Sequence, residues 1–495
     1  MIFKNARCHL LRCSIVLCTI SQQTFAVEED TYLLREQNKL QLQQQEQQIV
    51  AEAQFPNEQQ ASYLTINGQS FAVQDNDADL TRAIFISINR QQWADLERFL
   101  LRYRQLQPHA EVVVLFAEGA LARAKQDLGL AEQKFKAMLA IDDEFSRGKL
   151  ELARVLFENK KNKQAEQMFR EVYVDMPADI QKSIQLYLEA IQLKDRWRSK
   201  VSLGLTYNSN INQKAAGHNE CFSVITDQNG NQYCWTRRSE EAVSDWGWNF
   251  NLNHNKNFEF KDQQSVFIKS LWYGTLYENE RDYNNQTFNL NTGYRFADAR
   301  HDFAVGPLFE KYIWGGKTLY NGYGARLEYS YVANAKNLLN LQIDVQDNHF
   351  NKDALAQYYD GQQYSAYLTW NHSIQQSLIG FANLSYIKKD VNDKANSFDQ
   401  WGGRVGLYKM FQNNSALSIL AMYRHSNYQQ ANNWIGPQAS RNKEQIYFLN
   451  YDMPQYTYKG IYPSLSYKYS HLDSNNKWFY DYSAHEVIFK LQKNF

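Results

Sequence analysis

The chain has 495 residues, with 53 Lys plus Arg set against 53 Asp plus Glu, so its formal net charge is zero. That balance lacks the basic excess of a nucleic-acid binder, and the length exceeds one small core, so more than one domain is expected and no nucleic-acid partner. Mean hydropathy is −0.62. Beyond the N-terminus no run reaches the about 18 apolar residues of a spanning helix, which excludes a helical membrane protein. Aromatic residues divide unevenly, 18 in residues 1–198 and 54 in 199–495, so two kinds of structure are expected to meet near residue 198.

Residues 1–26 read as a secretory signal peptide. Lys4, Arg7 and Arg12 give a positive start, an apolar run follows over 10–20, and Thr24-Phe25-Ala26 offers a cleavage site. The run is too short for a membrane anchor, and Leu17 before Cys18 is not the small residue of a lipoprotein signal. Removal of the signal takes Cys8, Cys13 and Cys18 with it. Cys221 and Cys234 remain, enclosing twelve residues with a turn signal at Asn229-Gly230. In an exported chain such a pair predicts a disulfide. Zinc is the competing reading, but near His218 no fourth ligand and no paired-cysteine spacing is found.

Residues 27–77 form a Gln-rich lead-in. Over 32–55 the scattered Leu33, Leu34, Leu40, Leu42 and Ile49 fit a weakly amphipathic helix or a disordered stretch, ended by Pro56, with no function assigned.

Residues 78–197 carry helical periodicity and an internal repeat. Gly119 matches Ala153, Ala131 matches Ala165 and Phe135 matches Phe169, each pair 34 apart, and Pro177 follows Ala165 by 12. Small, small, aromatic and a closing proline make the tetratricopeptide pattern, in which small residues let paired helices approach and the Phe packs between repeats. The plainer alternative is any helical hairpin array. A degenerate repeat with Leu96, Leu100 and Pro108 precedes the two good ones, and Ala178–Lys194 is expected to cap the stack. Such stacks present a concave surface that commonly holds a polypeptide.

From Lys200 the period changes to two. Val201, Leu203, Leu205 and Tyr207 share a face, as do Trp246, Trp248, Phe250 and Leu252, while the opposite face is polar. A soluble sandwich would turn the apolar face inward; a membrane barrel turns it to lipid and lines its lumen with the polar face. Fourteen strands can be placed between 200 and 495, with short turns after even-numbered strands and generally longer loops after odd ones. The expected fold is therefore α + transmembrane β: tetratricopeptide-type repeats, then an antiparallel outer-membrane β-barrel over 198–495. An even strand count puts both barrel ends and the helical domain on the periplasmic side. Tyr273, Trp314, Tyr331 and Trp370 are candidates for the aromatic girdles. Phe489, Leu491 and the terminal Phe495 are similar to the signal that outer-membrane proteins present to the barrel assembly machinery.

A search for chemistry finds no nucleotide, hydrolase or metalloprotease motif, and no catalytic residue, metal or cofactor is expected. Asp344, Asp347 and His349 are the nearest thing to a catalytic set. Arg326, Lys388 and Arg404 are expected in a lumenal salt-bridge network, and His218, His425 and His485 in loops or lumen.

A short periplasmic repeat domain fused to one barrel resembles the surface lipoprotein assembly modulators, the Slam proteins. The resemblance covers nearly the whole mature chain. It is carried most locally by GLTYNSNINQ (204–213) and by the closing strands KGIYPSLSYKYSHLDSNNKWFYDY and HEVIFKLQKNF. It implies a translocator that promotes surface display or release of client proteins, either surface lipoproteins or secreted haem-binding proteins, with outer-membrane lipid as its surroundings. The alternatives share the barrel: an exopolysaccharide export porin with periplasmic repeats, or a general porin.

Overall fold

A computed structural model describes residues 30–41, 65–66, 69–70 and 73–495 except 216 and 218. The expected signal peptide with Cys8, Cys13 and Cys18, most of the lead-in, and His218 lie outside the described residues.

Residues 30–41 form a helix, α1. The repeat region then runs as α2 (Asp77–Asn89), α3 (Trp93–Tyr103), α4 (Glu111–Ala124), α5 (Leu128–Leu139), α6 (Ser146–Glu158), α7 (Asn162–Tyr173) and α8 (Ala178–Asp195). Each hairpin turns on a residue with positive φ: Gln91, Gln126 and Lys160. These positions are 35 and 34 apart, so the turn keeps the period even where the side chains have drifted. Each turn closes the same way, with the next amide donating back into the preceding helix, as Asp127 N does to Ala122 O at 2.9 Å and Lys161 N to Leu156 O at 2.8 Å. This satisfies carbonyls that a helix end otherwise leaves open. Pro177 stands at the N-cap of α8.

The barrel strands are β1 (Arg198–Asn208), β2 (Asp245–Lys261), β3 (Gln264–Tyr277), β4 (Asn285–Ala297), β5 (His301–Trp314), β6 (Lys317–Asn334), β7 (Asn337–Phe350), β8 (Gly361–Gln375), β9 (Leu378–Val391), β10 (Phe398–Met410), β11 (Ala416–Tyr428), β12 (Arg441–Asp452), β13 (Ile461–Ser474) and β14 (Tyr482–Asn494). They close into one antiparallel ring in chain order. β14 meets β1 from Glu486↔Asn208 to Asn494↔Lys200, the shortest ladder in the ring. Phe495 extends that seam, its N–H donating to Ser199 O at 2.8 Å. Closure leaves no free edge, which a chain in lipid requires. Leu203, Trp248, Leu384, Trp401, Phe489 and Leu491 point outward, while Thr206, Asn289, Asn291, Thr369 and Ser466 are buried within.

Several side chains sit on faces other than those expected. Tyr273 and Trp314 line the lumen rather than a girdle, whereas Tyr331 and Trp370 face outward. Lys389 is the buried lysine of its strand, so its neighbour Lys388 points the other way. His425 and His485 likewise lie on outward positions of β11 and β14. Strand faces alternate, so an assignment one residue off reverses the face. β12 stops at Asp452, and just beyond it Pro454 starts a 3-10 turn.

The repeat domain rests on two neighbouring short turns of the barrel. Gln263 Nε2 donates to Asn159 O at 2.8 Å and Gln164 Nε2 to Asp262 Oδ2 at 2.7 Å. Ala299 of the next short turn packs on the helical core.

Candidate functional site

The lumen is the concave feature with the richest chemistry. Strand alternation lines it with amides, hydroxyls and paired charges. Arg326 and Asp344 face each other across β6 and β7 as a fork, at 2.7 and 2.5 Å, and both are almost fully buried. Arg424 pairs with Glu444, and Lys269 with Glu328. Glu310 accepts from Tyr320 at 2.9 Å and from Asn289 at 3.0 Å.

Helix α1 lies inside this wall and touches it all round. Tyr32 stacks on Tyr367 with ring centroids 4.2 Å apart, donates or accepts at Thr369 Oγ1 at 2.7 Å, and lies under the Arg404 guanidinium at 4.7 Å. Asp30 meets Lys468 at 3.4 Å, Thr31 meets the Tyr273 hydroxyl at 2.8 Å, and Arg35 donates to Asn289. Lys39 donates to Asn340 at 2.7 Å and to Ser330 at 3.0 Å. At its end Gln41 donates to Asp452 at 2.9 Å and accepts from Lys200 at 2.9 Å.

One part of the wall is apolar. Leu420, Met422 and Ile446 form a buried cluster, with Leu33 of α1, Phe381 and Phe448 packed against it. Beside the helix remains a cavity of about 290 Å³, reached by Glu36 and Gln37 from α1 and by Lys200, Glu486, Lys490 and Gln492 from the wall.

The outer mouth is covered by loops. Phe479 and Tyr480 from the loop before β14 are buried with Phe398, Tyr428 and Ile435, and Trp478 Nε1 donates to Ile435 O at 2.7 Å. The first long loop carries a hairpin, Asn219–Thr226 with Gln232–Arg238. Its Cys221 and Cys234 are bonded, with Cα atoms 5.6 Å apart. The NSNIN stretch anchors that loop: Asn210 Nδ2 donates to Ser483 O and Lys214 O, both at 3.0 Å, and Asn212 Nδ2 donates to Glu241 O at 2.8 Å. Upstream in the same stretch Gly204 sits so close to β14 that an added Cβ would fall 2.3 Å from Phe489 O.

In the repeat domain Ala131, Phe135, Ala153, Ala165 and Phe169 are fully buried in one core. A Cβ on Gly119 would lie 2.8 Å from the Phe135 ring. A charged network spans two repeats, with Arg123 at 2.8 Å from Glu151 and 2.5 Å from Glu158, and Arg154 at 2.7 Å from Glu151. Burial resists ionisation of Glu151, but Arg154 and Arg123 outweigh it and hold its carboxyl below the usual range.

The suspected catalytic set does not assemble. Asp344 points inward and is tied to Arg326, whereas Asp347 and His349 lie on the other face of β7, 3.3 Å from each other. Among the described residues no group of three His, Cys, Asp or Glu is placed to hold a metal ion. The sequence reading offered a weakly amphipathic helix over 32–55 as one alternative, and what it missed is the place of α1 inside the lumen. Its signal lay on the opposite wall: Leu420, Met422, Ile446 and Phe448 occupy lumen-facing positions where a wet barrel carries polar residues, which implies an inner partner.

A closed barrel with apolar outer and polar inner faces, bearing tetratricopeptide repeats at its short-turn rim, defines an outer-membrane protein with a periplasmic helical module. Residues 197–495 match the family model described as surface lipoprotein assembly modifier, and residues 66–169 match that family's N-terminal TPR repeats. The chain belongs to the surface lipoprotein assembly modifier family. It is 29% identical to the hemophilin secretion modulator of Acinetobacter baumannii, over 94% of this chain and 96% of that one. It is 22% identical to surface lipoprotein assembly modifier 1 of Neisseria meningitidis serogroup B, over 87% and 86%. The namesake in Haemophilus influenzae is 20% identical over 84% of each chain.

Proposed function

We propose that this protein exports particular client proteins across the outer membrane, for display on the surface or release from it. The clients are lipoproteins or haem-capture proteins, the classes named in its relatives. The observation that carries this reading is the pairing of a repeat scaffold with the periplasmic rim of the barrel, through Gln263, Asp262 and Asn159. A client held unfolded by the scaffold is thereby delivered beside the mouth of a polar lumen. Polar walls suit an extended chain in transit, whose amides need partners at every step. Folding of the client outside, with or without haem, gives the passage its direction. Phe489, Leu491 and Phe495 serve as the assembly signal during biogenesis, and no step in this reading makes or breaks a covalent bond.

The test is co-expression in a heterologous Gram-negative host. A secreted haem-binding client and a surface lipoprotein client are each produced with and without this chain, and are read in the medium and by antibody on intact cells. Export of at least one class only when the chain is present supports the proposal. Retention of both, with the barrel correctly inserted, overturns it.

A further inference from the structure

The lumen contains both a helix and a surface shaped to that helix. Leu33 covers the apolar cluster of Leu420, Met422 and Ile446, which otherwise faces the lumen. Tyr32 is sandwiched by the Tyr367 ring and the Arg404 guanidinium. Asp30 and Lys39 each find a complementary group, Lys468 and the Ser330–Asn340 pair. The wall thus recognises a short amphipathic segment of mixed charge at several independent points.

The same segment is attached weakly in another sense. Its contacts are side chain to side chain, with no strand pairing to the ring. Each of these contacts trades against water and is individually weak, so an incoming chain offering equivalents can replace them stepwise. Residues 42–64 separate α1 from the strand pair of Thr65–Ile66 with Gln69–Ser70, a length that fully extended reaches roughly 80 Å. The chain can therefore release α1 from the barrel without moving the repeat domain.

We propose that residues 30–41 are a removable plug, and that the lumenal wall is a binding site for amphipathic polypeptide segments. At rest the site is filled by the chain's own α1; in transport it is filled by the client. The second half rests on the export reading above, whereas the first half is independent of any client. Leaving the lumen uncovers Tyr367, Arg404, Leu420 and Ile446 for the passing chain. Gln41, the last described residue of α1, bridges Asp452 of β12 and Lys200 of β1 at the periplasmic end.

The experiment is single-channel recording in planar bilayers. The full chain is compared with one lacking residues 27–41, and a synthetic peptide of residues 30–41 or a scrambled version is then added to the deleted form. The expected result is a several-fold rise in conductance on deletion, reversed by the native peptide and not by the scrambled one. Equal conductance of the two chains, or block by both peptides alike, overturns the proposal. A full-length variant covers the case in which deletion harms assembly. Gln41→Cys and Asp452→Cys are joined by a short bismaleimide, leaving Cys221 and Cys234 in their own bond. The joined form should stay closed and export several-fold less client than the same double variant left unjoined. Undiminished export by the joined form shows that α1 need not leave, and also overturns the proposal. Loss of export from every form, with the conductance results intact, counts against the export reading alone.

Discussion

Single side chains decide where this molecule tolerates change. Gly119 faces the Phe135 ring at a distance no added Cβ can keep, while the nearest neighbour of a Cβ on Gly129 is 3.8 Å away. Gly119→Leu is expected to cost about 1–3 kcal/mol through overpacking, and Gly129→Ala to gain about 0.5–1 kcal/mol through reduced backbone entropy of the unfolded chain. Urea unfolding followed by the helical circular-dichroism signal separates the two, and opposite signs are predicted. In the lumen Arg326→Met strands the Asp344 carboxylate, for which Gln342 Nε2 at 2.9 Å remains. That single change should cost about 3–5 kcal/mol, whereas the double variant Arg326→Met/Asp344→Leu recovers most of the loss. The urea midpoint of the heat-modifiable gel band reads both. These two pairs differ in legibility. Gly119 announced itself through the repeat, but the partner of Arg326 depended on strand register, which hydrophobic pattern alone does not supply.

At the scale of elements, the repeat stack is tied together by charge as well as by packing. Glu151 is held below its unfolded pKa by Arg154 and Arg123 against the effect of burial, and Glu132 by its hydrogen bonds and attraction to Lys136 and Lys161, again against burial. A carboxyl depressed in the folded state contributes stability above its unfolded value, about 4.3, and loses it as pH falls through the folded value. The helical signal should therefore weaken toward acid. Glu151→Gln should lower stability at neutral pH and flatten that acid limb; an unchanged acid limb would count against the network. Strand periods were legible because lipid on one side and a wet lumen on the other enforce alternation along most of each strand. Strand ends were less so: β12 stops at a proline turn, and β7 is followed by α9 (Asp353–Tyr359), which tucks Leu355 and Tyr359 against Phe350. The lead-in was least legible. Helix α1 sets Leu33 on an apolar patch of the wall and its polar side chains on the rest, so its weak amphipathic pattern did not say that its partner is the inside of the barrel.

For the whole molecule, the account joins three parts into one route: a periplasmic scaffold, a polar lumen and a segment that fills it. Scaffold and barrel were visible in the 34-residue period and in the two-residue alternation. The segment filling the lumen was not, because its place depends on which residues meet across the ring. The most direct measurement is site-specific photocrosslinking of a stalled client. A client fused to a tightly folded domain that cannot pass is co-expressed with chains carrying a photoreactive residue at one position. Positions Asn289, Thr369 and Leu420 face the lumen; Leu384 and Trp401 face lipid. The account predicts crosslinks to the stalled client at the three lumenal positions and none at the two lipid-facing ones. Crosslinks confined to the lipid-facing positions, or to the repeat domain alone, would contradict passage through the barrel.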